Sequence, residues 1–150
     1  NNITLKRIER NSYGKDFDRD TYTCEVRDAL IDHEIDLIAM AGFGTILNKP
    51  IYDDFSNRIL NTHPSLLPSF PGWHAVEEAL EYGVKVTGCT VHIATEEVDA
   101  GPILAQESIP VLKDDTKETL HERIKTVERQ LYVDTINKII TTNGQIERDQ

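Results

Sequence analysis

Residues 58–72 have the sequence RILNTHPSLLPSFPG, in which a short apolar run gives way to a proline-rich loop. The run 58–61 predicts a short buried strand. Residues 64–72 contain three prolines and one glycine, and this composition predicts a constrained loop because each proline fixes its own φ angle. In open α/β sheets, ligands bind at the carboxyl ends of strands. The segment therefore predicts a sheet strand that ends at a binding site.

On the amino-terminal side of this segment, helical and strand-like patterns alternate. Residues 36–41, DLIAMA, form a near-continuous apolar run, which is typical of a strand buried on both faces. A short strand is predicted at residues 3–5, a helix at about 19–33 with Asp18 as its N-cap, and a short helix near Pro50. Alternation of this kind predicts parallel strands joined by crossover helices.

On the carboxyl-terminal side, the sequence predicts helices over residues 73–82 and 116–140 and strands over residues 85–95 and 103–111. Gly83 is expected to end the first helix, and Asp115 or Thr116 to cap the second. The polar loop between the two strands is short, which is compatible with an antiparallel pair. Residues 141–150 are polar and are expected to form a frayed tail.

The chain as a whole predicts one domain over residues 1–150. Its 150 residues are enough for one hydrophobic core, and we find no internal repeat or low-complexity tract. The alternation of elements predicts the α/β class, with a Rossmann-like, mostly parallel sheet flanked by helices.

Composition excludes several classes of partner. The formal net charge is -10, from 26 acidic and 16 basic residues, which argues against a general nucleic-acid surface because phosphates need a basic patch. No apolar run approaches the ~18 residues of a membrane span, so no membrane association is expected. The two cysteines, Cys24 and Cys89, have no CxxC spacing. They are predicted to be reduced thiols of a cytoplasmic protein.

The side chains that follow the strand at 58–61 have the chemistry of a catalytic site. Alternation points Asn61 and His63 to one side, where an amide N–H can donate to a developing oxyanion and a histidine can exchange a proton. Asp99, in the polar loop after the strand at 85–95, can stabilise protonated His63. Simpler interpretations exist: Asn61 caps a turn, His63 packs as a hydrogen-bonded polar residue, and Asp99 serves a turn before a Gly-Pro pair.

Other polar residues have structural interpretations when each is taken alone. His92 is predicted to be a hydrogen-bonded core histidine, and His74 to be exposed at the start of a helix. Lys125 and Glu128 lie on the long helix and are assigned to its solvated face. The spacing of the histidines and Asp99 matches no compact ligand pattern, so no metal site is predicted.

Several separate segments, taken in order, resemble one family. They are residues 61–72 (NTHPSLLPSFPG), 83–92 (GVKVTGCTVH), 97–102 (EVDAGP) and 115–128 (DTKETLHERIKTVE). Together they are similar to the folate-dependent formyltransferases, and above all to those that formylate glycinamide ribonucleotide in purine biosynthesis. The resemblance covers about residues 15–140 and implies the formyltransferase version of the α/β fold.

The resemblance also implies a role for each matching residue. Asn61, His63 and Asp99 match the catalytic trio of the family. The resemblance places the pterin of 10-formyltetrahydrofolate among the backbone of residues 44–47 and 94–99, with Gly44, Thr45, Ile46, Leu47, Ala94, Thr95 and Glu96 as contacts. It places glycinamide ribonucleotide near Pro64, Lys125 and Glu128. The amine of the ribonucleotide would attack the formyl carbon while Asn61 and protonated His63 stabilise the oxyanion. Asp99 would favour the charged form of His63 and help to move the proton through water. No metal is implied, and a homodimer is left open.

Two departures from the family pattern bear on this interpretation. The family usually has a Met-Arg pair after Gly-Phe, where this chain has Gly44-Thr45. The family also begins with a strand and a glycine- and serine-rich phosphate-binding loop, to which nothing here corresponds, so we expect an N-terminally incomplete chain. Two alternatives stay open: a formyltetrahydrofolate hydrolase, with water as the acceptor, and a truncated, non-catalytic folate-binding homologue.

Overall fold

Four helices and four strands make up residues 3–142, the part of the chain that this computed structural model describes. The helices are α1 (Arg19–Asp32), α2 (Lys49–Asp54), α3 (Ala75–Tyr82) and α4 (Lys117–Thr141), and the strands are β1 (Ile38–Ala39), β2 (Ile59–His63), β3 (Val86–Ile93) and β4 (Ile103–Pro110). A 3-10 turn, Gly14–Asp16, precedes α1. Every predicted helix and strand except the strand at residues 3–5 therefore has a counterpart.

The strands form one sheet in the order β1-β2-β3-β4. β1 and β2 are parallel, whereas β3 is antiparallel to both β2 and β4. The α/β class is confirmed, but within the described residues the sheet is mixed, not mostly parallel. The reason lies in where β3 begins. His63, at the end of β2, pairs with Thr90, so the first residues of β3, from Val86, extend past the carboxyl end of β2. The chain enters β3 at that end and does not return to the start of β2.

The two strand predictions nearest the amino terminus need correction. β1 has only two residues, and Ala39 is exposed, so the run 36–41 is not buried on both faces. Within residues 3–142 its one strand neighbour is β2, which makes β1 an edge strand. Ile3 and Leu5 are 87% and 92% exposed, and residues 3–5 join no described strand. An apolar segment forms a strand only where a partner supplies the ladder of hydrogen bonds.

Alternation along β2 divides the core between the two faces of the sheet. Ile59 packs on one face with residues of α1 and α2, namely Tyr22, Val26, Leu30, Ile51 and neighbouring apolar side chains. Leu60 packs on the other face with Ile93 and with Ile139 of α4. A further cluster joins Val76 of α3 and Cys89 of β3 to Leu120 and Ile124 of α4. Helices therefore cover both faces of the sheet around the strand that carries Asn61 and His63.

The helix ends follow the capping chemistry that the sequence indicates. The side chain of Asp18 accepts a hydrogen bond from the Thr21 N–H at 3.0 Å, and Gly83 ends α3 with a φ of 80°. Thr116, not Asp115, is the N-cap of α4 and forms a capping box with Thr119. None of the described helices is long and apolar enough to cross a membrane.

The predicted tail falls almost entirely outside the structure that can be described. Thr141 is the last residue of α4 and is therefore not part of a frayed tail. Residues 143–150, the rest of the predicted tail, lie outside the described residues.

Candidate active site

A cavity of about 580 Å³ lies at the carboxyl ends of β1 and β2. Its lining includes all but one of the site residues predicted from the sequence, namely Gly44, Thr45, Ile46, Leu47, Asn61, His63, Pro64, Ala94, Thr95, Asp99, Lys125 and Glu128. Glu96 is the exception, since it is exposed and lies outside the lining. The structure thus brings residues from four separate segments to the strand end at which ligands bind in sheets of this kind.

The ring of His63 has an acceptor at each nitrogen. Nε2 lies 2.8 Å from the backbone oxygen of Phe70, and Nδ1 lies 3.2 Å from Oδ2 of Asp99. A carbonyl oxygen only accepts, so Nε2 carries a hydrogen. An ionised carboxylate also only accepts, so a hydrogen bond at Nδ1 needs a hydrogen there as well. The two acceptors therefore match the two N–H groups of a protonated imidazolium ring.

Asp99 is held in its ionised form. Its Oδ2 accepts a hydrogen bond from the Gly72 N–H at 2.8 Å, and its Oδ1 lies 3.6 Å from Nε2 of His92. Burial acts to raise the pKa of Asp99, but the interactions with His92, the Gly72 N–H and His63 outweigh burial and lower the pKa below its usual value. Asp99 therefore presents a negative charge to His63 at neutral pH.

Asn61 is oriented by the residue opposite it in the sheet, His92. Nδ1 of His92 lies 3.0 Å from the backbone oxygen of Ile93, which places a hydrogen on Nδ1. Nε2 of His92 lies 3.4 Å from Nδ2 of Asn61 and 3.6 Å from Oδ1 of Asp99. His92 thus contacts the Asn61 amide and the Asp99 carboxylate through one ring nitrogen, and Asn61 lines the cavity.

His92 therefore does more than its sequence indicates. It is a hydrogen-bonded core histidine, 1% exposed, as predicted. It also lines the cavity and contacts both Asn61 and Asp99. His92 has this role because it pairs with Asn61 in the sheet. The sequence predicts the strands at 58–61 and 85–95 separately and does not show which of their residues pair.

Both acceptors of His63 belong to residues with a left-handed backbone. The φ angles of Phe70 and Asp99 are 53° and 54°, and such conformations cost a non-glycine residue on the order of 1 kcal/mol. Next to Asp99, the loop packs directly on β3: a Cβ at Gly101 would lie 1.8 Å from the backbone oxygen of Ile93. Only glycine fits there, and this close approach fixes the loop that presents Asp99.

Helix α4 closes another side of the cavity with Lys125 and Glu128. Both side chains are half-buried and line the cavity, so the prediction that they belong to a solvated face is wrong. Nζ of Lys125 lies 2.7 Å from Oε1 of Glu122. Burial raises the pKa of Glu128, although a hydrogen bond with Thr62 and the charge of Lys125 offset part of that rise. Glu128 is thus a carboxylate that gains a proton more readily than an exposed one.

The lining also contains residues that the sequence did not single out. They are Met40, Phe43, Tyr52, Thr62, Trp73, Val98, His121 and Arg129. Burial, with the nearby charge of Lys125, lowers the pKa of His121, so this histidine is neutral at pH 7. These residues have no motif signal, because their place in the lining follows from strand order and helix packing. Among residues 3–142, no three His, Cys, Asp or Glu side chains are arranged to hold a metal ion.

The arrangement has the chemistry of acyl transfer. An amide N–H and an imidazole ring converge on one cavity, where they can donate to a carbonyl oxygen on which negative charge develops, and the Asp99 carboxylate beside the ring favours its protonated form. Nδ1 of His63 and Oδ2 of Asp99 lie 3.2 Å apart. A reacting group bound beside them can therefore exchange a proton with either one.

Comparison with known proteins agrees with this chemistry. Residues 1–136 match the family described as formyl transferase. The chain therefore belongs to the formyl transferase family, and the formyltransferase version of the α/β fold is confirmed.

Within the family, the chain is similar to enzymes named for glycinamide ribonucleotide. Phosphoribosylglycinamide formyltransferase from Mycobacterium tuberculosis strain H37Rv is 51% identical over 123 residues, which are 82% of this chain and 57% of that protein. The crystal structure of glycinamide ribonucleotide transformylase 1 from Symbiobacterium toebii matches with a TM-score of 0.75 and 46% identity, over 77% of this chain and 54% of that one. The chain thus spans little more than half the length of these relatives.

A hydrolytic member of the family has the same fold. The crystal structure of a formyltetrahydrofolate deformylase from Pseudomonas syringae pv. tomato matches with a TM-score of 0.75 and 31% identity, over 79% of this chain and 40% of that one. The fold alone therefore does not separate transfer from hydrolysis, whereas sequence identity is higher to the transferases.

Proposed function

We propose that the protein transfers a formyl group from 10-formyltetrahydrofolate to the amine of glycinamide ribonucleotide. The observation that carries the proposal is the placement of His63 between the Phe70 carbonyl and the Asp99 carboxylate, in the cavity that also receives the Asn61 amide. The names and the identities of the relatives support the same reaction.

The proposed reaction uses these three groups. The substrate amine attacks the formyl carbon, and the new C–N bond places negative charge on the formyl oxygen. Nδ2–H of Asn61 and protonated His63 stabilise that charge. The bond between the formyl carbon and N10 of the folate then breaks, N10 takes up a proton, and the substrate nitrogen loses one. Because Phe70 occupies Nε2 of His63, the proton is exchanged at the Nδ1 edge that His63 shares with Asp99, directly or through water.

The other lining residues divide between the two substrates. Lys125 and Glu128 are proposed to contact glycinamide ribonucleotide together with Pro64, since a buried carboxylate can accept from an amine and an ammonium group can donate to oxygen atoms. The folate is proposed to lie against the segment 44–47 and against Ala94 and Thr95. Glu96 is proposed to contact the folate through its backbone, because its exposed side chain lies outside the cavity lining.

The partners are therefore proposed to be small molecules. The net charge of -10 gives no support to nucleic-acid binding. A cytoplasmic location and a homodimer stay predictions, and the oligomeric state is measured by sedimentation of the purified protein.

One assay tests the function against its rivals. The protein is supplied with 10-formyltetrahydrofolate, with and without glycinamide ribonucleotide, and the release of tetrahydrofolate is followed. Release that requires the ribonucleotide supports formyl transfer. Equal release without it supports the hydrolase and contradicts transfer. Binding of folate with no turnover in either case identifies a non-catalytic homologue.

A further inference from the structure

Trp73 stands out because it is an exposed aromatic side chain on the wall of the cavity. It is the only tryptophan of the chain, it is 69% exposed, and it lines the cavity. It directly follows Gly72, whose N–H holds Asp99. A large ring is thus presented to solvent beside the residue that orients His63.

The ring of Trp73 faces Gly44 across the cavity wall. A Cβ at position 44 would lie 3.5 Å from Cη2 and 3.8 Å from Cζ3 of the indole. A methyl group would only touch the ring, but a longer side chain such as the methionine usual in the family would meet the indole. Gly44 therefore leaves free the space into which a longer side chain would extend against the indole of Trp73.

Two more exposed apolar side chains lie on the same lining. Phe43 is 39% exposed and Val98 is 45% exposed. Apolar surface that is exposed at a cavity is surface that a ligand can bury. With Trp73, these residues form an apolar rim, which suits a flat, apolar part of a ligand.

The chemistry of the folate indicates which part that is. In 10-formyltetrahydrofolate the formyl group is on N10, and N10 is bonded directly to the ring of the p-aminobenzoyl group. A formyl group placed at Asn61 and His63 therefore holds that ring two bonds from the formyl carbon. The rim around Trp73 adjoins the same centre through Gly72 and Asp99.

We infer that Trp73 is a specificity-determining residue that receives the p-aminobenzoyl ring on its indole, and that Gly44 is small so that the indole can take this position. The inference rests on the proposed function, because it takes a reduced folate as the ligand. Offset or edge-to-face contact between aromatic rings is favourable beyond the area that it buries. Replacement of the indole by an aliphatic side chain is therefore expected to weaken folate binding about tenfold.

The test measures the dissociation constant of tetrahydrofolate by titration calorimetry, with the ligand kept reduced. Trp73→Leu should raise Kd about tenfold, whereas Trp73→Phe should raise it only about twofold because a flat ring is retained. Leu112→Ala is the control, since Leu112 is an apolar residue, 55% exposed, outside the cavity lining, and it should leave Kd unchanged. The KM for glycinamide ribonucleotide should stay the same in all three variants.

A second pair of variants tests the complementarity of the two positions. Gly44→Met should raise Kd because its side chain meets the indole. The double variant Gly44→Met/Trp73→Leu should bind tetrahydrofolate more tightly than Gly44→Met alone, because leucine at position 73 is shorter than the indole and relieves the contact with the new methionine.

The outcomes separate the inference from the proposed function. A wild-type protein that binds no tetrahydrofolate contradicts the proposed function itself. A wild-type protein that binds it, with Kd within twofold of wild type in Trp73→Leu, overturns the role of Trp73 alone. If Trp73→Leu does not fold, Gly44→Met decides the question, and an unchanged Kd in that variant overturns the inference.

Discussion

Oδ2 of Asp99 lies 3.2 Å from Nδ1 of His63, although one residue ends a strand and the other lies in a loop beyond the next strand. The same oxygen accepts the Gly72 N–H, and the opposite edge of the imidazole donates to Phe70. The orientation of the histidine is thus set by one carboxylate and two loops.

Removal of the imidazole should abolish most of the activity. In His63→Ala the proton-exchanging group and one oxyanion donor are lost together, so kcat should fall about 10²- to 10⁴-fold. Steady-state release of tetrahydrofolate measures the loss, and circular dichroism shows whether the variant is folded. His74→Ala is the control: His74 pairs with Glu77 on the surface and should keep wild-type kcat. A kcat near wild type in His63→Ala would remove His63 from the mechanism.

Asp99 should make a pH-dependent contribution to stability. Its pKa is lowered in the folded protein, so its stabilising effect is present above the pKa of the unfolded chain and is lost as the pH falls through the lower folded value. The difference in unfolding free energy between wild type and Asp99→Asn should therefore shrink as the pH is lowered from about 5 to below about 4. Urea titrations at each pH measure it. An equal difference at acidic and neutral pH contradicts the ionised state.

Glu128 should make binding of glycinamide ribonucleotide sensitive to acid. Burial raises the pKa of Glu128, so the carboxylate is lost at a higher pH than an exposed glutamate loses its charge. Glu128→Gln should raise the KM for the ribonucleotide about tenfold or more through loss of a charge-assisted hydrogen bond.

The pH profile separates this role of Glu128 from a structural one. The KM of the wild type should rise as the pH is lowered toward about 5, and in Glu128→Gln that component of the rise should be absent. The KM for 10-formyltetrahydrofolate should change little. Glu118→Gln, on the exposed start of the same helix, is the control and should match the wild type. Identical pH profiles for Glu128→Gln and the wild type would contradict the assignment.

Tyr132 should stabilise the strand ends that carry the site. Its hydroxyl shares one hydrogen between the backbone oxygens of Met40 at 3.1 Å and Leu60 at 3.0 Å, and Leu60 immediately precedes Asn61. Tyr132→Phe should lower the unfolding free energy by about 1–2 kcal/mol, because the Met40 carbonyl loses this donor while the Leu60 carbonyl keeps only the Met40 N–H. Tyr82→Phe, which removes an exposed hydroxyl, should leave it unchanged. Chemical denaturation of the three proteins compares them, and equal stability of Tyr132→Phe and wild type contradicts the prediction.

Local patterns predicted most helices and the long strands because their signals lie within one segment. The capping residues Asp18 and Gly83 and the apolar stripe of α4 are of this kind. The same helix also shows a limit of local patterns: Val133 is apolar but 54% exposed, since it lies two residues from Leu131 and so projects from another side of the helix. The direction of β3 was not predicted, because it depends on where the chain re-enters the sheet.

The site residues also divide into those with a local sequence signal and those that depend on how the chain folds. Asn61 and His63 are near neighbours in sequence, Asp99 is a carboxylate in the polar loop after a strand, and the family resemblance joined the three into one site. The partner of Nε2 of His63 is a backbone oxygen, that of Phe70, and any residue type has such an oxygen. The contact between Asn61 and His92 depends on strand register, which a single sequence does not specify. Contacts that are made by backbone atoms, or that depend on strand pairing, could therefore not be predicted from the sequence.

Because Gly101 lies against β3, substitutions at position 101 should be tolerated as poorly as substitutions at a catalytic position. In a saturation library selected for growth on the formyl-transfer reaction, position 101 should be as depleted of variants as position 63, although Gly101 lies outside the cavity lining. Abundance of the expressed protein should distinguish the two positions, since variants at 101 disappear from the soluble fraction while variants at 63 accumulate as inactive protein.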